Sequence, residues 1–217
     1  MSSKPLAITD DLYAYVIAHG STPDPETQAL IDETAATMGD HARMQIARDT
    51  AALLTLLARL IGVRHAVEIG TFTGLSALAI ARGLTDGGRV ITCDRSEEFT
   101  DIARRHWDKT DVADRIELRL GPALTTLRQM PAEPHIDLAF IDADKTEYSS
   151  YWYELVPRMR PGGLIVVDNV LFYGQVLAPQ HAFDKAIVAF NEMVLADERV
   201  DAVMLPIADG ITLARRK

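Results

Sequence analysis

Two short stretches carry side chains that could hold a cation and move a proton. The runs Phe140-Ile141-Asp142-Ala143-Asp144-Lys145-Thr146-Glu147-Tyr148 and Val167-Asp168-Asn169-Val170-Leu171 each come off an apolar segment. Asp142, Asp168 and Asn169 offer two carboxylates and an amide carbonyl, with no histidine or thiol nearby in sequence. That donor set suits a hard divalent cation, Mg²⁺, Ca²⁺ or Mn²⁺, better than zinc. Lys145, three residues past Asp142, is the candidate general base. Its bland alternative is a solvated lysine at a helix start, a place the helix dipole disfavours for a cation.

A third stretch, Ala66-Val67-Glu68-Ile69-Gly70-Thr71-Phe72-Thr73-Gly74-Leu75-Ser76, reads as a buried strand passing through a glycine turn into a helix. Gly70 and Gly74 allow a ligand to lie against the main chain, and free N–H groups at the helix start can hold an anion. The glycines read G-x-x-x-G, not the G-x-G-x-x-G of dinucleotide folds, and Glu68 stands where it would repel a pyrophosphate. A ligand with a cationic amine or sulfonium tolerates that acid, and S-adenosylmethionine has both. Asp94 ends the next apolar run, where it can accept from ribose hydroxyls, cap the following helix, or do both.

These groups need strands to position them. Asp10 to His19 and Asp24 to Met38 read as helices, the second opened by Thr22-Pro23-Asp24-Pro25-Glu26. A longer apolar helix, about Arg48 to Ile61, is stopped by Gly62 and expected against the sheet. Between them lies the polar loop of Met44-Gln45-Ile46. Strands are expected at His65–Ile69, Arg89–Asp94, Arg115–Leu120, Asp137–Asp142 and Gly163–Asp168, with helices after Gly74, from Ser96 to Trp107, after Pro122, from Thr146 to Arg158 and from Gln180 to Leu195. Pro161-Gly162-Gly163 reads as a turn. Arg199–Leu205 and Gly210–Ala214 are close enough to pair as an antiparallel hairpin. The alternation implies an α/β fold, a parallel sheet covered on both faces with the site at the strands' carboxyl ends.

The chain has 217 residues, 48% of them apolar, enough for one α/β unit: residues 1–62 as covering helices and 63–217 as the core. A net charge of −9 argues against binding nucleic acid or anionic membranes and for a small-molecule partner. Cys93 is the only cysteine, Met1 to Asp11 lacks a signal peptide's apolar core, and no apolar run would span a bilayer, which together suit the cytoplasm.

The Glu-Ile-Gly-Thr-Phe-Thr-Gly stretch resembles the first motif of the cation-dependent O-methyltransferases, the catechol and caffeoyl-CoA type, and the Asp142 and Asp168-Asn169 stretches fit the same pattern from about Met38 onward. The resemblance implies a Rossmann-like S-adenosylmethionine methyltransferase fold: seven strands, mostly parallel, the last reversed, with extra N-terminal helices. It places the cofactor on Ile46, Glu68, Gly70, Thr71, Ser76, Asp94, Ala123, Asp142 and Asp144, with Ser76 at its carboxylate, Asp144 at its amino group and Ala123 at the adenine edge. The metal would sit on Asp142, Asp168 and Asn169. Neighbouring oxygens of a catechol could complete its coordination, lowering a phenol pKa from about 10. Lys145 would take the proton. Tyr148, Tyr151, Trp152, Phe172 and Tyr173 either stack on an aromatic acceptor or pack the core. The family is commonly dimeric, and the patch at Leu171-Phe172-Tyr173 leaves surface for a second copy. Leu75, where many relatives have tyrosine, and Gln45, where a small hydroxyl residue is common, alter the pocket's shape but remove no catalytic group. Rival readings are an NAD-dependent dehydrogenase, a binding module that kept the fold, and a methyltransferase for a non-catechol hydroxyl.

Overall fold

Apolar runs that end in acids become adjacent parallel strands, and that adjacency gathers the acids. The computed structural model describes residues 6–217; the reading of Met1 to Asp11 as lacking a signal core falls partly on residues 1–5, outside the described residues. Strands β1 (His65–Ile69), β2 (Arg89–Asp94), β3 (Ile116–Leu120), β4 (Ile136–Ile141), β5 (Met159–Val167), β6 (Val200–Leu205) and β7 (Ile211–Arg216) form one sheet of order β3-β2-β1-β4-β5-β7-β6. The pairs among β1 to β5 are parallel, and β7 runs antiparallel to both β5 and β6. The expected reversed last strand is there. Strand order turns back between β1 and β4, the place where an open α/β sheet leaves a crevice.

Side chains alternate across the sheet and feed two cores. Ala66, Leu138, Phe140, Leu164 and Val166 face one, with α3 (Arg48–Ile61), α4 (Leu75–Gly83) and α5 (Glu97–Trp107). Val67, Ile69, Ala139, Ile141, Ile165 and Val167 face the other, with α6 (Ala123–Gln129), α7 (Tyr148–Arg158) and α8 (Ala182–Ala196). Helices α1 (Asp10–Ala18) and α2 (Pro25–Thr37) precede them. The Asp24 carboxylate caps α2, accepting from Thr27 N–H at 3.0 Å, with Pro25 in the first turn. Among the described residues no helix is long and apolar enough to cross a membrane.

Three expectations change. Helix α3 packs on α4 instead of on the sheet. Thr55 Oγ1 donates to Ala79 C=O at 2.8 Å, and Gly83 lets Ala58 approach so closely that a Cβ there would stand 2.5 Å from Ala58 Cβ. Helix α4 is buried from Leu75 to Ala81, so it occupies the layer foreseen for α3, and Leu56 and Leu60 are left 54% and 70% exposed. Second, Pro161-Gly162-Gly163 lies inside β5. The pairing jumps from Ile136↔Met159 to Leu138↔Leu164, and residues 160–163 bulge out with Gly162 at φ +80°. Third, helix α7 begins at Tyr148, after a 3₁₀ turn over Lys145–Glu147.

Each strand end continues its ladder into the following loop. Gly70 N–H donates to Cys93 C=O, Gly121 N–H to Asp94 C=O, Asp142 N–H to Ile69 C=O and Asp168 N–H to Ile141 C=O, all at 2.8–3.0 Å. Gly70 sits at φ +96°, and a Cβ there would lie 1.8 Å from the Asp142 carbonyl oxygen. Gly70→Ala should therefore cost at least the 1–3 kcal/mol typical of overpacking, approximately, measured by urea unfolding. An unchanged midpoint would mean that β1 and β4 separate freely.

Candidate active site

The carboxyl ends of β1, β2, β4 and β5 open on a cavity of about 740 Å³, within the usual range for small-molecule sites. Of the residues singled out in the sequence, Ile46, Gly70, Thr71, Ser76, Asp94, Ala123, Asp142, Asp144, Lys145, Asp168 and Asn169 all line it. Glu68 does not.

Glu68 lies beneath the glycine turn, fully buried on the opposite face of β1 from Val67 and Ile69. Burial pushes its carboxyl up to about 8, against the hydrogen bonds from Ser76 and Thr92, and Oε1 has no hydrogen-bond partner among the described residues. Near neutral pH the acid therefore holds its proton in the ligand-free protein, so the repulsion of a pyrophosphate argued from the sequence loses most of its force. Between the ordinary carboxyl pKa of 4.5 and about 8 the folded chain holds a proton that the unfolded chain has released, so this group's contribution becomes more destabilising as pH rises through that window. Glu68→Gln removes it. The melting temperature of that variant, relative to the parent, should climb from pH 5 to pH 8; a constant difference would contradict the raised pKa.

Asp94 binds the turn itself. Its Oδ2 accepts from Thr71 N–H (3.0 Å) and Phe72 N–H (2.8 Å), and Oδ1 accepts from Ser96 N–H (2.9 Å). Capping of α5 falls to Ser96, whose Oγ accepts from Phe99 N–H. A carboxylate has about four lone-pair sites, so Oδ1 keeps capacity for a ligand hydroxyl. From behind, Trp107 Nε1 donates to Gly74 C=O at 3.0 Å, with its ring against Gly74. Gln45, foreseen in a polar loop, instead donates from Nε2 to Thr34 Oγ1 (2.9 Å) and Thr73 Oγ1 (3.1 Å), tying α2 and the Arg43–Ala47 wall to the glycine turn.

At the other end Lys145 Nζ donates to Asp142 Oδ1 (2.8 Å), Asn169 Oδ1 (2.7 Å) and Tyr148 Oη (2.7 Å). Asp168 stands beside them, 3% exposed, its pKa pushed up to about 7 first by burial and then by the Asp142 charge. Tyr148 is raised as well, chiefly by burial. Asp144 caps the 3₁₀ turn through Thr146 and is lowered by the Thr146 hydroxyl.

The donor set fits a hard cation. Asp142 Oδ1 and Asn169 Oδ1 already converge on one positive charge, and the buried Asp168–Asp142 repulsion is the strain a divalent ion would relieve. The turn fits an adenosyl ligand, since Gly70 to Ser76 line the cavity together with Asp94; the two glycines themselves serve packing, because a Cβ at Gly70 would meet Asp142 and one at Gly74 would meet Trp107, not the cavity as expected from the sequence. Of the five aromatics considered for the acceptor, Tyr148, Tyr151 and Trp152 belong to the second core, although Tyr151 also reaches the cavity; Phe172 and Tyr173 line the cavity and Tyr173 is 74% exposed. Phe72, Arg95, Phe99, Phe183 and Asp209 also line it and were missed in the sequence. The signal for Asp209 was only the Asp-Gly of a hairpin turn.

Comparison with known proteins agrees with this geometry. The sequence profile of a family described as O-methyltransferase matches residues 19–217. A Dictyostelium discoideum protein named Probable caffeoyl-CoA O-methyltransferase 1 is 38% identical, over 93% of this chain and 90% of that one. Caffeoyl-CoA O-methyltransferase 2 of Zea mays is 36% identical, over 98% and 85%. A solved O-methyltransferase from Bacillus cereus, in complex with SAH, superposes with a TM-score of 0.85 at 33% identity, covering 94% of this chain and 96% of its own.

Proposed function

The chain belongs to the S-adenosylmethionine-dependent O-methyltransferase family, and from that premise we propose that it methylates a hydroxyl of a catechol-like aromatic with the help of a divalent cation. Family membership leaves no place for the dehydrogenase or binding-module readings. The observation that carries the finer proposal is the meeting of Lys145 with Asp142 and Asn169, beside Asp168, at one end of the cavity.

When bound, S-adenosylmethionine supplies an electrophilic methyl, and a divalent cation on Asp142, Asp168 and Asn169 supplies the positive charge that acidifies a phenol. The chain's own residues do the rest. Asp94, Ser76, Asp144, Ala123 and the turn at Gly70 and Thr71 hold the cofactor, Glu68 supports Ser76 from below, and Ile46 belongs to the opposite wall. Lys145, placed by Asp142, Asn169 and Tyr148, is the base that accepts the phenol proton. Phe172, Tyr173, Phe183 and Met44 present apolar surface to the acceptor ring and exclude water. Most of the acceleration comes from holding nucleophilic oxygen and methyl close and aligned, because methyl transfer asks little covalent chemistry of the protein.

We further read the chain as a single cytoplasmic unit that forms a homodimer. Among the described residues helix α1 has no fully buried side chain, although Tyr15 and Val16 are apolar, and Leu56 and Leu60 are also exposed. A doubled mass in light scattering supports the dimer and a single-chain mass refutes it. The substrate reading is tested with labelled cofactor and a panel of catechols, monophenols and aliphatic alcohols: catechols should be methylated fastest, and equal rates on aliphatic alcohols would refute it.

A further inference from the structure

We propose that Gln45 is a positioning residue for the cofactor: its side-chain amide holds the Arg43–Ala47 wall closed against the glycine turn, so a ligand need not order that wall as it binds. The inference rests on the cofactor placement above and involves no cation. Arg43 to Ala47 and Gly70 to Ser76 line the same cavity, and Gln45 joins the two stretches by its bond to Thr73. Residues 39–47 have little else to hold them. None is fully buried, Gly39–Met44 is a 3₁₀ stretch, and Met44 is 48% exposed. Ile46 packs partly against the first of the two cores, and the exposed His41 ring lies 5.6 Å from Phe99. Among the described residues Gln45 has the only side chain of this stretch with hydrogen bonds beyond it. A segment with so few buried contacts opens locally at small cost unless it is tied.

Counting protons fixes which end of the amide faces inward. A hydroxyl has one proton to give, and an amide NH₂ has two. Thr34 shares the buried face of α2 with Thr27 and Leu30, and it gives its proton to Leu30 C=O at 2.8 Å. Toward Gln45 it can then only accept, so the NH₂ end must meet it. Nε2 donates to Thr34 Oγ1 (2.9 Å) and to Thr73 Oγ1 (3.1 Å), and the two hydroxyls stand 2.9 Å apart. Both anchor points are fixed. Helix α2 is held by Leu30 in the core and by Glu33, whose Oε2 is 2.9 Å from Nε2 of His106 on α5. Thr34 and Thr73 are 1% and 0% exposed, so without the amide each hydroxyl oxygen loses a donor that only water can replace. Water reaches them only when the wall lifts. A ligand must then close the wall itself, and its affinity falls by the fraction of molecules in which the wall is already closed.

The test is SAH binding by the full chain, measured by calorimetry without acceptor or added metal, together with amide hydrogen exchange. Gln45→Met keeps the length of the side chain and removes both N–H groups. SAH affinity should fall about tenfold, as expected for two lost hydrogen bonds of ordinary net worth. In the ligand-free variant, exchange should quicken in the wall and stay at the parent's rate in β1 and β4, and saturating SAH should restore the wall's protection. Thr34 does not line the cavity, so Thr34→Val removes part of the tie without removing a contact to the cofactor. It should weaken SAH binding less than Gln45→Met does, and the double variant should bind like Gln45→Met alone. A Gln45→Met affinity within about twofold of the parent's overturns the proposal. So does unchanged exchange in the wall, faster exchange throughout the sheet, or a double variant whose losses simply add. A parent that binds no SAH refutes the cofactor placement and this inference together, whereas a parent and a Gln45→Met variant that bind SAH equally well refute this inference alone.

Discussion

Asp168→Ala is expected to show no turnover at ordinary Mg²⁺, or turnover only at far higher Mg²⁺, while melting no lower than the parent in metal-free buffer. The two outcomes belong together. Asp168 is almost fully buried, and burial together with the Asp142 charge raises its pKa to about 7. In the ligand-free protein it is therefore a costly group, and removing it relieves like-charge repulsion. Only in the working enzyme does the second carboxylate matter, as part of an all-oxygen donor set for a hard cation. A variant that loses stability and activity together would make Asp168 a structural residue, and one that turns over at parental Mg²⁺ would remove it from the cation site. The readouts are a thermal melt and a Mg²⁺ titration of methyl transfer with a catechol acceptor and saturating cofactor.

Lys145→Ala should lower turnover at neutral pH by about 10² to 10⁴, the usual worth of a general base, and should regain part of it at high pH. The recovery follows from the acceptor: a phenol with an ordinary pKa of about 10 ionises unaided as that value is approached. Removing the amine leaves Asp142 and Asn169 as oxygen donors, so metal affinity should not fall. This separates the lysine variant from the aspartate one. A Lys145→Ala enzyme as fast as the parent at neutral pH, or one whose deficit is independent of pH, would contradict the role of base.

Much of this site could be read from the sequence because its acids sit where apolar runs stop. Asp94 ends β2, Asp142 and Asp168 directly follow β4 and β5, and parallel pairing of those strands makes neighbours of residues far apart in the chain. The reversed last strand could be read because so short a turn between β6 and β7 permits only antiparallel pairing. What stayed hidden depends on who covers whom. The alternation of β1 gives Glu68 a face, but its burial comes from the turn and α4 above it. Leucines around α3 suggested a core helix, yet α4 is the helix buried throughout, and its Gly83 lets α3 pack on it from outside. Asp209 is about forty residues beyond Asn169, and only the β5–β7 pairing brings its turn to the loop after β5. Gln45 looked like a loop amide until Thr34 and Thr73 were placed beside it.

The central claim is that this cavity unites cofactor, cation and lysine for transfer of a methyl to a catechol oxygen. Its most direct test is transfer of labelled methyl from S-adenosylmethionine to a catechol by the purified chain, measured first in excess EDTA and then after Mg²⁺ is restored above the chelator. The account predicts no methylated catechol with EDTA and full recovery on adding Mg²⁺. Undiminished methyl transfer in excess EDTA would contradict it.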